Sequence, residues 1–141
     1  MIAHLHVHSW FSFLEGLDSP SSLAQAASAN QMTAFALTDS HNLSGAVEFF
    51  NACQEYHIHP IFGLEILHTP PLSTIQGSEG NPNLASQPGR LVVLAETDSG
   101  WASLCRLASL GQEKGSLSLE DLQHHQHGLI CLTGGSAGIL H

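Results

Sequence analysis

The stretch "TAFALTDSHNLSGAVEFFNACQEYHIHPIFGLEIL" at residues 33–67 decides the fold class of this 141-residue chain. Two short runs of apolar, β-branched and aromatic residues, 33–39 and 59–67, flank a run with apolar residues at helical spacing, 43–57. A strand, a helix and a second strand in that order form a βαβ unit, which has a right-handed crossover and parallel strands. This stretch therefore predicts an α/β fold.

The same alternation extends in both directions along the chain. Strand-like runs also occur at 3–9, 90–96 and 128–134, and helix-like runs at 19–31 and 99–115. We therefore expect about five parallel strands with intervening helices. Because a closed βα barrel usually takes about 250 residues, the fold is either an open sheet or the amino-terminal part of a barrel.

The segment at 69–89 has a different composition, dominated by Pro, Gly, Ser and Asn. Such a composition predicts an exposed, flexible loop between the third and fourth strands. The whole chain, residues 1–141, has the length of one ordinary domain.

Charge and hydropathy exclude several function classes. Three basic residues face twelve acidic ones, which gives a formal net charge of −9. Since non-specific nucleic-acid affinity comes largely from Lys and Arg, any DNA is expected to be held by another part of a larger protein. The sequence shows neither an apolar run long enough to span a bilayer nor a signal-peptide pattern. We therefore predict a cytoplasmic location without membrane contact.

Histidines alternate at the start of the chain, in "AHLHVHS" at 3–9. In an extended strand His4, His6 and His8 would share one face. Two imidazoles at this spacing can reach the same metal ion. The alternative is a polar strand face whose histidines are hydrogen-bonded to their neighbours.

Two acidic residues stand out at the predicted strand ends. Asp39 ends the first strand of the βαβ unit, where it can orient a ligand histidine or cap the next helix. Glu65 is the single charge in the apolar run 60–67, and a buried carboxylate is costly unless it is paired or bound to a metal. Because chemistry gathers at the carboxyl ends of parallel strands, we expect a site there.

The chain resembles a known family through an ordered series of motifs: HLHVHS at 4–9, FSFLEG at 11–16, LTD at 37–39, NLSGAVEF at 42–49, HPIFGLE at 59–65 and VVLAE at 92–96. This series is similar to the start of the polymerase and histidinol phosphatase (PHP) domain. The version in question opens the bacterial DNA polymerase III alpha subunit and its error-prone relatives.

The resemblance implies a distorted βα barrel that holds up to three divalent metal ions, here Zn or Mn, and hydrolyses phosphoesters. In some polymerases it implies proofreading 3'-5' exonuclease activity. By position, His6 and His8 match the first two metal ligands and Glu65 matches the bridging carboxylate. Glu15 sits where an Asp or His ligand is usual, and Asp39 matches the aspartate of the family's Thr-Asp-His motif.

Departures from the family pattern affect the same site. Ser40 stands where a ligand histidine is usual, and His41, one place later, is the candidate substitute. Arg90 and Gly135 replace two further ligands, and the last two would lie beyond His141. An inward-pointing Arg90 would place a positive charge where a metal ion should sit. The site is then expected to bind no metal, or one weakly.

The leading functional prediction is the PHP portion of a DNA polymerase III alpha-like, DNA-directed DNA polymerase, which acts in replication or translesion repair. Its phosphoesterase site is partly degenerate, so this chain alone is weakly active or inactive. The expected partners are the remainder of the polymerase chain, DNA through that remainder, and proofreading or clamp subunits. The alternatives are a free-standing metal-dependent phosphatase acting on histidinol phosphate or nucleotides, and a non-catalytic PHP scaffold.

Overall fold

The computed structural model describes residues 2–69 and 88–133. These residues form four helices and four strands: α1 (Pro20–Ala29), β1 (Ala34–Leu37), α2 (Ala46–Glu55), β2 (His59–His68), β3 (Gly89–Ala95), α3 (Asp98–Lys114), α4 (Leu119–His124) and β4 (Leu129–Leu132). The prediction of an α/β fold is confirmed. The predicted loop at 69–89 falls almost entirely on residues 70–87, which lie outside the described residues.

The strands form one mixed sheet in the order β1-β2-β3-β4. β1 and β2 are parallel, as expected for the βαβ unit. β2 and β3 pair antiparallel, and so do β3 and β4. The prediction of about five parallel strands is therefore wrong for the described part of the chain, which has four strands and one parallel pair.

The histidine-rich start of the chain lies beside β1 without forming a regular strand. The amide of Ala36 donates to His4 O at 2.8 Å, and the amide of Thr38 donates to Val7 O at 2.9 Å. The donors advance by two residues while the acceptors advance by three, so one extra residue interrupts the ladder as in a bulge. The strand predicted at 3–9 is therefore reduced to two backbone contacts. The rings of His6 and His8 nevertheless lie 5.0 Å apart.

Two apolar clusters hold the helices against the sheet. α1 and α2 pack on β1 around Phe35 and Phe49, whose ring centroids are 4.9 Å apart. α3 packs on β2 and β3 around Leu64 and Leu104. β2 therefore runs through the centre of the molecule, and Glu65 on it is only 2% exposed. In the part of the chain that the structure describes, no helix is long and apolar enough to cross a membrane.

α3 approaches the segment after β1 so closely that a methyl group does not fit at Gly111. A Cβ atom there would lie 2.0 Å from His41 Nδ1. We expect Gly111→Ala to lower the free energy of unfolding by about 2 kcal/mol, because overpacking outweighs the better helix propensity of alanine. Urea unfolding measures this, with Glu113→Ala on the exposed side of α3 as control. Equal stability of the two variants would show that this contact relaxes freely.

Candidate metal site

Histidines, carboxylates and one arginine meet where the chain's first segment crosses the sheet. His6 and His8 come from that segment, Glu15 from the loop after it, Glu65 from β2 and Arg90 from β3. The cluster thus gathers side chains from positions up to 84 residues apart, which only the folded sheet brings together.

One oxygen of Glu65 faces the two histidines. His6 Nε2 lies 2.8 Å from Glu65 Oε2, and His8 Nε2 lies 3.5 Å from the same oxygen. The buried His8 Nε2 makes no hydrogen bond. One ligand atom from each of these three residues lies within 4.8 Å of the others.

The other oxygen of Glu65 faces cationic and hydroxyl donors. Arg90 donates to Glu65 Oε1 at 2.7 Å and to Glu15 Oε1 at 2.6 Å. Ser40 Oγ lies 2.9 Å from Glu65 Oε1 and 2.9 Å from Glu15 Oε2, so its single hydroxyl proton is shared between the two carboxylates. Glu65 therefore divides the cluster into a histidine side and an arginine side.

These contacts keep both carboxylates ionised. Burial alone would raise the pKa of Glu65, but contacts from His8 and Ser40 and the charges of His8 and Arg90 lower it to about 2. Arg90, assisted by Ser40, lowers the pKa of Glu15. The Glu65 carboxylate raises the pKa of His8 against the effect of burial. The cluster thus combines two anionic groups, a permanent cation and two imidazoles.

The antiparallel register of β2 and β3 explains how Arg90 reaches the site. Leu67 pairs with Arg90 and Glu65 pairs with Val92, so all four side chains project on one face of the sheet. Arg90 is then the diagonal neighbour of Glu65, at a separation that a long side chain spans. Arg90 points inward as a direct consequence of this register.

Asp39 fixes the chain segment that carries the site through hydrogen bonds to two serines. Its carboxylate accepts hydrogen bonds from Ser9 N at 2.7 Å, Ser9 Oγ at 2.7 Å and Ser12 Oγ at 2.6 Å. These bonds fix the residue next to His8 and the turn that leads to Glu15. Asp39 does not cap α2, because that helix begins after Gly45, which makes no side-chain capping bond. The capping alternative is therefore wrong, whereas the bonds to Ser9 and Ser12 fit the alternative that Asp39 helps to orient a ligand histidine.

The structure does not bring His41 into the cluster. His41 Nε2 accepts a hydrogen bond from Leu67 N at 2.9 Å, and the ring packs against Gly111. Burial lowers the pKa of His41, which favours the neutral ring that this bond requires. The shift of one residue relative to Ser40 turns the side chain away from Glu65, so the substitute-ligand role finds no geometric support. His4 lies exposed, and its backbone carbonyl contacts β1.

The sequence did not reveal the contacts made by three serines. Ser40 counts in the sequence only as a lost ligand, yet its hydroxyl bridges both carboxylates. Ser9 and Ser12 are buried beneath the site and bind Asp39. A small polar residue inside the apolar run "WFSFL" at 10–14 is the one sequence signal for such a role.

The histidine side has the donor chemistry and dimensions of a site for one ion. Imidazole nitrogen and carboxylate oxygen bind divalent zinc, and ligand atoms about 2.1 Å from a tetrahedral ion lie about 3.4 Å from one another. The separations of 2.8 Å and 3.5 Å at Glu65 Oε2 are close to this value, and all three ligand atoms lie within 4.8 Å of one another. The buried His8 Nε2, which makes no hydrogen bond, is the observation that fits a metal best.

Comparison with protein families and with curated proteins gives consistent results. The PHP domain family matches residues 4–141. The DNA polymerase III subunit alpha of Chlamydia trachomatis is 34% identical over 139 residues, which are 95% of this chain and 11% of that protein. The same subunit of Mycoplasma pneumoniae is 37% identical over 131 residues, covering 93% of this chain and 13% of that protein.

An error-prone DNA polymerase of Symbiobacterium thermophilum is 36% identical over 156 aligned residues, covering 96% of this chain and 13% of that protein. This chain therefore spans only about a tenth of the length of the curated relatives named here.

Solved structures share the fold. A protein of Bifidobacterium adolescentis assigned as a metal-dependent phosphoesterase has a TM-score of 0.53 and 19% identity, covering 76% of this chain and 32% of that one. An amidohydrolase of Chromobacterium violaceum, solved with bound sulfate and no metal, has a TM-score of 0.54 and 25% identity, covering 78% and 34%. Both similarities agree with the α/β fold of this chain.

Proposed function

Because this chain belongs to the PHP domain family, we propose that it is the PHP module of a DNA polymerase III alpha-type polymerase, with a phosphoesterase site reduced to one divalent ion. The supporting observation is the set His6, His8 and Glu65, whose ligand atoms converge while the buried His8 Nε2 lies 3.5 Å from Glu65 Oε2 without a hydrogen bond. Zn or Mn is the proposed ion, and Asp39 is the residue that holds the ligand segment in place.

A divalent ion at this position would activate water and neutralise charge on a phosphoryl group. The chain's own contribution is to hold His6 and His8 beside Glu65 Oε2, and to keep Glu65 ionised. The opposite side of the site is filled by Arg90, Ser40 and Glu15. We therefore propose weak or no phosphoester hydrolysis by this chain alone, which makes a scaffolding role the main contribution to a polymerase.

We propose the remainder of a polymerase chain as the partner, with DNA reached through that remainder. The loop that carries Glu15 exposes five large apolar side chains: Trp10 by 54%, Phe11 by 36%, Phe13 by 86%, Leu14 by 90% and Leu17 by 93%. Apolar side chains that lie together on a protein surface, exposed to water, mark interaction surfaces. The charge of −9 opposes direct contact with DNA phosphates.

The remaining assignments are further proposals. Residues 1–141 are proposed as the amino-terminal portion of a PHP-type domain. Proofreading or clamp subunits are proposed as secondary partners, and the cytoplasm, where a bacterial replication enzyme works, as the location. The matches to polymerase subunits over 95% and 93% of this chain support this context.

Metal analysis of the purified chain tests the reduced site. We expect dialysed protein to retain at most one equivalent of Zn or Mn, and His8→Ala to lower the affinity at least about tenfold, because one of three ligands is lost. Mass spectrometry of the metal content and calorimetric titration measure both quantities. His59→Ala, at an exposed position of β2, is the matched control.

Two results would contradict the proposal. Unchanged metal affinity of His8→Ala would show that the ion binds elsewhere. Rapid hydrolysis of bis(p-nitrophenyl) phosphate by the chain alone, at about 1 per second or faster, would favour the free-standing phosphoesterase instead.

A further inference from the structure

Two ionised carboxylates are held side by side in the cluster. Glu15 Oε2 and Glu65 Oε1 both lie 2.9 Å from the single hydroxyl oxygen of Ser40. Glu65 is 2% exposed, so water screens little of the repulsion between the two charges. Such a pair requires a cation close to both groups, or one of them takes up a proton.

Arg90 supplies that cation. Its two terminal nitrogens bind one carboxylate each, at 2.6 Å to Glu15 and 2.7 Å to Glu65. The chain has two other basic residues, and neither serves the site. Lys114 binds Asp121 at 2.7 Å, and Arg106 lies exposed on α3.

The guanidinium contacts the same oxygens that a second divalent ion would need. Glu65 Oε2 remains directed to His6 and His8, whereas Glu65 Oε1 and Glu15 Oε1 are each bound to Arg90. A metal ion on these oxygens would lie beside the guanidinium, and the two positive charges would repel each other. The arginine side is therefore closed to metal while the histidine side stays open.

We infer that Arg90 is a built-in cation that replaces a second metal ion, so that it both stabilises the carboxylate pair and limits the site to one ion. This inference rests on the proposed function, since it concerns the same cluster. It adds that the positive charge at position 90 controls the number of ions bound, and that a divalent ion can replace Arg90 structurally.

A metal-rescue experiment on the full chain tests this inference. We expect Arg90→Ala to unfold about 10 °C below the wild-type chain in EDTA, because the carboxylates lose their counter-charge. Addition of 1 mM Mn²⁺ is expected to raise the unfolding temperature of Arg90→Ala by at least about 5 °C more than that of the wild type. Arg106→Ala is the control and should match the wild type under both conditions.

Metal stoichiometry gives a second, independent measurement. Arg90→His, which exchanges the cation for a ligand, is expected to bind two equivalents of Mn²⁺ or Zn²⁺ where the wild type binds at most one. Arg90→Lys keeps the charge and should keep the wild-type stoichiometry. Equal manganese response of Arg90→Ala and wild type, together with unchanged stoichiometry in Arg90→His, would overturn the inference.

The outcome separates this inference from the proposed function. The histidine-side ion is tested by metal binding to the wild-type chain, whereas the role of Arg90 is tested by the difference between variant and wild type. Manganese rescue of Arg90→Ala should persist when His8→Ala is also present, because the replacing ion uses Glu15 and Glu65. Loss of rescue in that double variant would overturn the assignment of the second ion to these carboxylates.

Discussion

Asp39→Ala is expected to lower the free energy of unfolding by about 3–5 kcal/mol. The substitution breaks a buried hydrogen-bond network and leaves the buried donors of that network without an acceptor. The Asp39 carboxylate accepts three short hydrogen bonds, from Ser9 N, Ser9 Oγ and Ser12 Oγ. Asp39, Ser9 and Ser12 are each at most 2% exposed, so water cannot replace the lost acceptor. The serines would then release the turn that carries Glu15.

Urea unfolding measures this loss, and amide hydrogen exchange locates it. We expect the Ser9 amide, which donates to Asp39, to lose its protection in the variant. Asp18→Ala, at an exposed position at the end of the same loop, is the matched control and should change stability by less than about 0.5 kcal/mol. Unchanged Ser9 protection in Asp39→Ala would show that the loop does not depend on this carboxylate.

Glu65→Gln is expected to remove a large part of the acid sensitivity that the buried cluster gives to the fold. The pKa of Glu65 is lowered from 4.5 to about 2 in the folded chain. A carboxyl group with a lowered folded pKa stabilises the fold above its unfolded pKa, and this contribution disappears as the pH falls toward the folded pKa. The wild-type chain should therefore lose about 3 kcal/mol between pH 4.5 and pH 2 through this group.

The same substitution should also destabilise the chain at neutral pH. A neutral amide leaves Arg90 with one carboxylate instead of two, and it can donate as well as accept beside His6 and His8. We expect a loss of about 3 kcal/mol at pH 7. Denaturant unfolding from pH 2 to pH 7 measures both effects, with Glu113→Gln on the exposed side of α3 as control. Parallel pH profiles for Glu65→Gln and wild type would contradict the assigned ionisation.

The sequence predicted the elements better than the direction of the strands. The βαβ unit at 33–67 is present as β1, α2 and β2, with the parallel pairing expected. Strand periodicity does not distinguish parallel from antiparallel neighbours, which explains the wrong direction of β3. Parallel neighbours need a crossover that is usually helical, whereas antiparallel neighbours can be joined by a loop. The Pro, Gly, Ser and Asn of 69–89 do not predict a helix, so this composition was evidence against a parallel β3.

Helix α4 was not predicted from the sequence, which indicates it only through its capping residues. The Ser118 side chain accepts from Asp121 N, and the Asp121 carboxylate accepts from Ser118 N, a reciprocal pair that marks a helix start. The helix has six residues, none of them buried. Six residues with two leucines are too few to show the apolar periodicity of a helix, although Leu122 packs against the core cluster around Leu64 and Leu104.

The candidate site was predictable in its composition and unpredictable in its contacts. The alternating histidines and the isolated Glu65 indicated metal chemistry, and the structure brings His6, His8 and Glu65 together. Whether Arg90 faces inward depends on the register of β2 with β3, which is a long-range property. Ser40 lies inside the cluster, whereas His41, the next residue, lies outside it. The chain turns at this point, where His41 has φ 51°, and a shift of one residue changes which side chain faces Glu65.

Crystallography of the full chain with Mn²⁺, recorded with the anomalous signal of manganese, tests the reduced site most directly. We expect one anomalous peak, bound by His6, His8 and Glu65 Oε2, while Arg90 stays on Glu15 and Glu65 Oε1. Two peaks bridged by Glu65, with Arg90 displaced into solvent, would contradict this expectation.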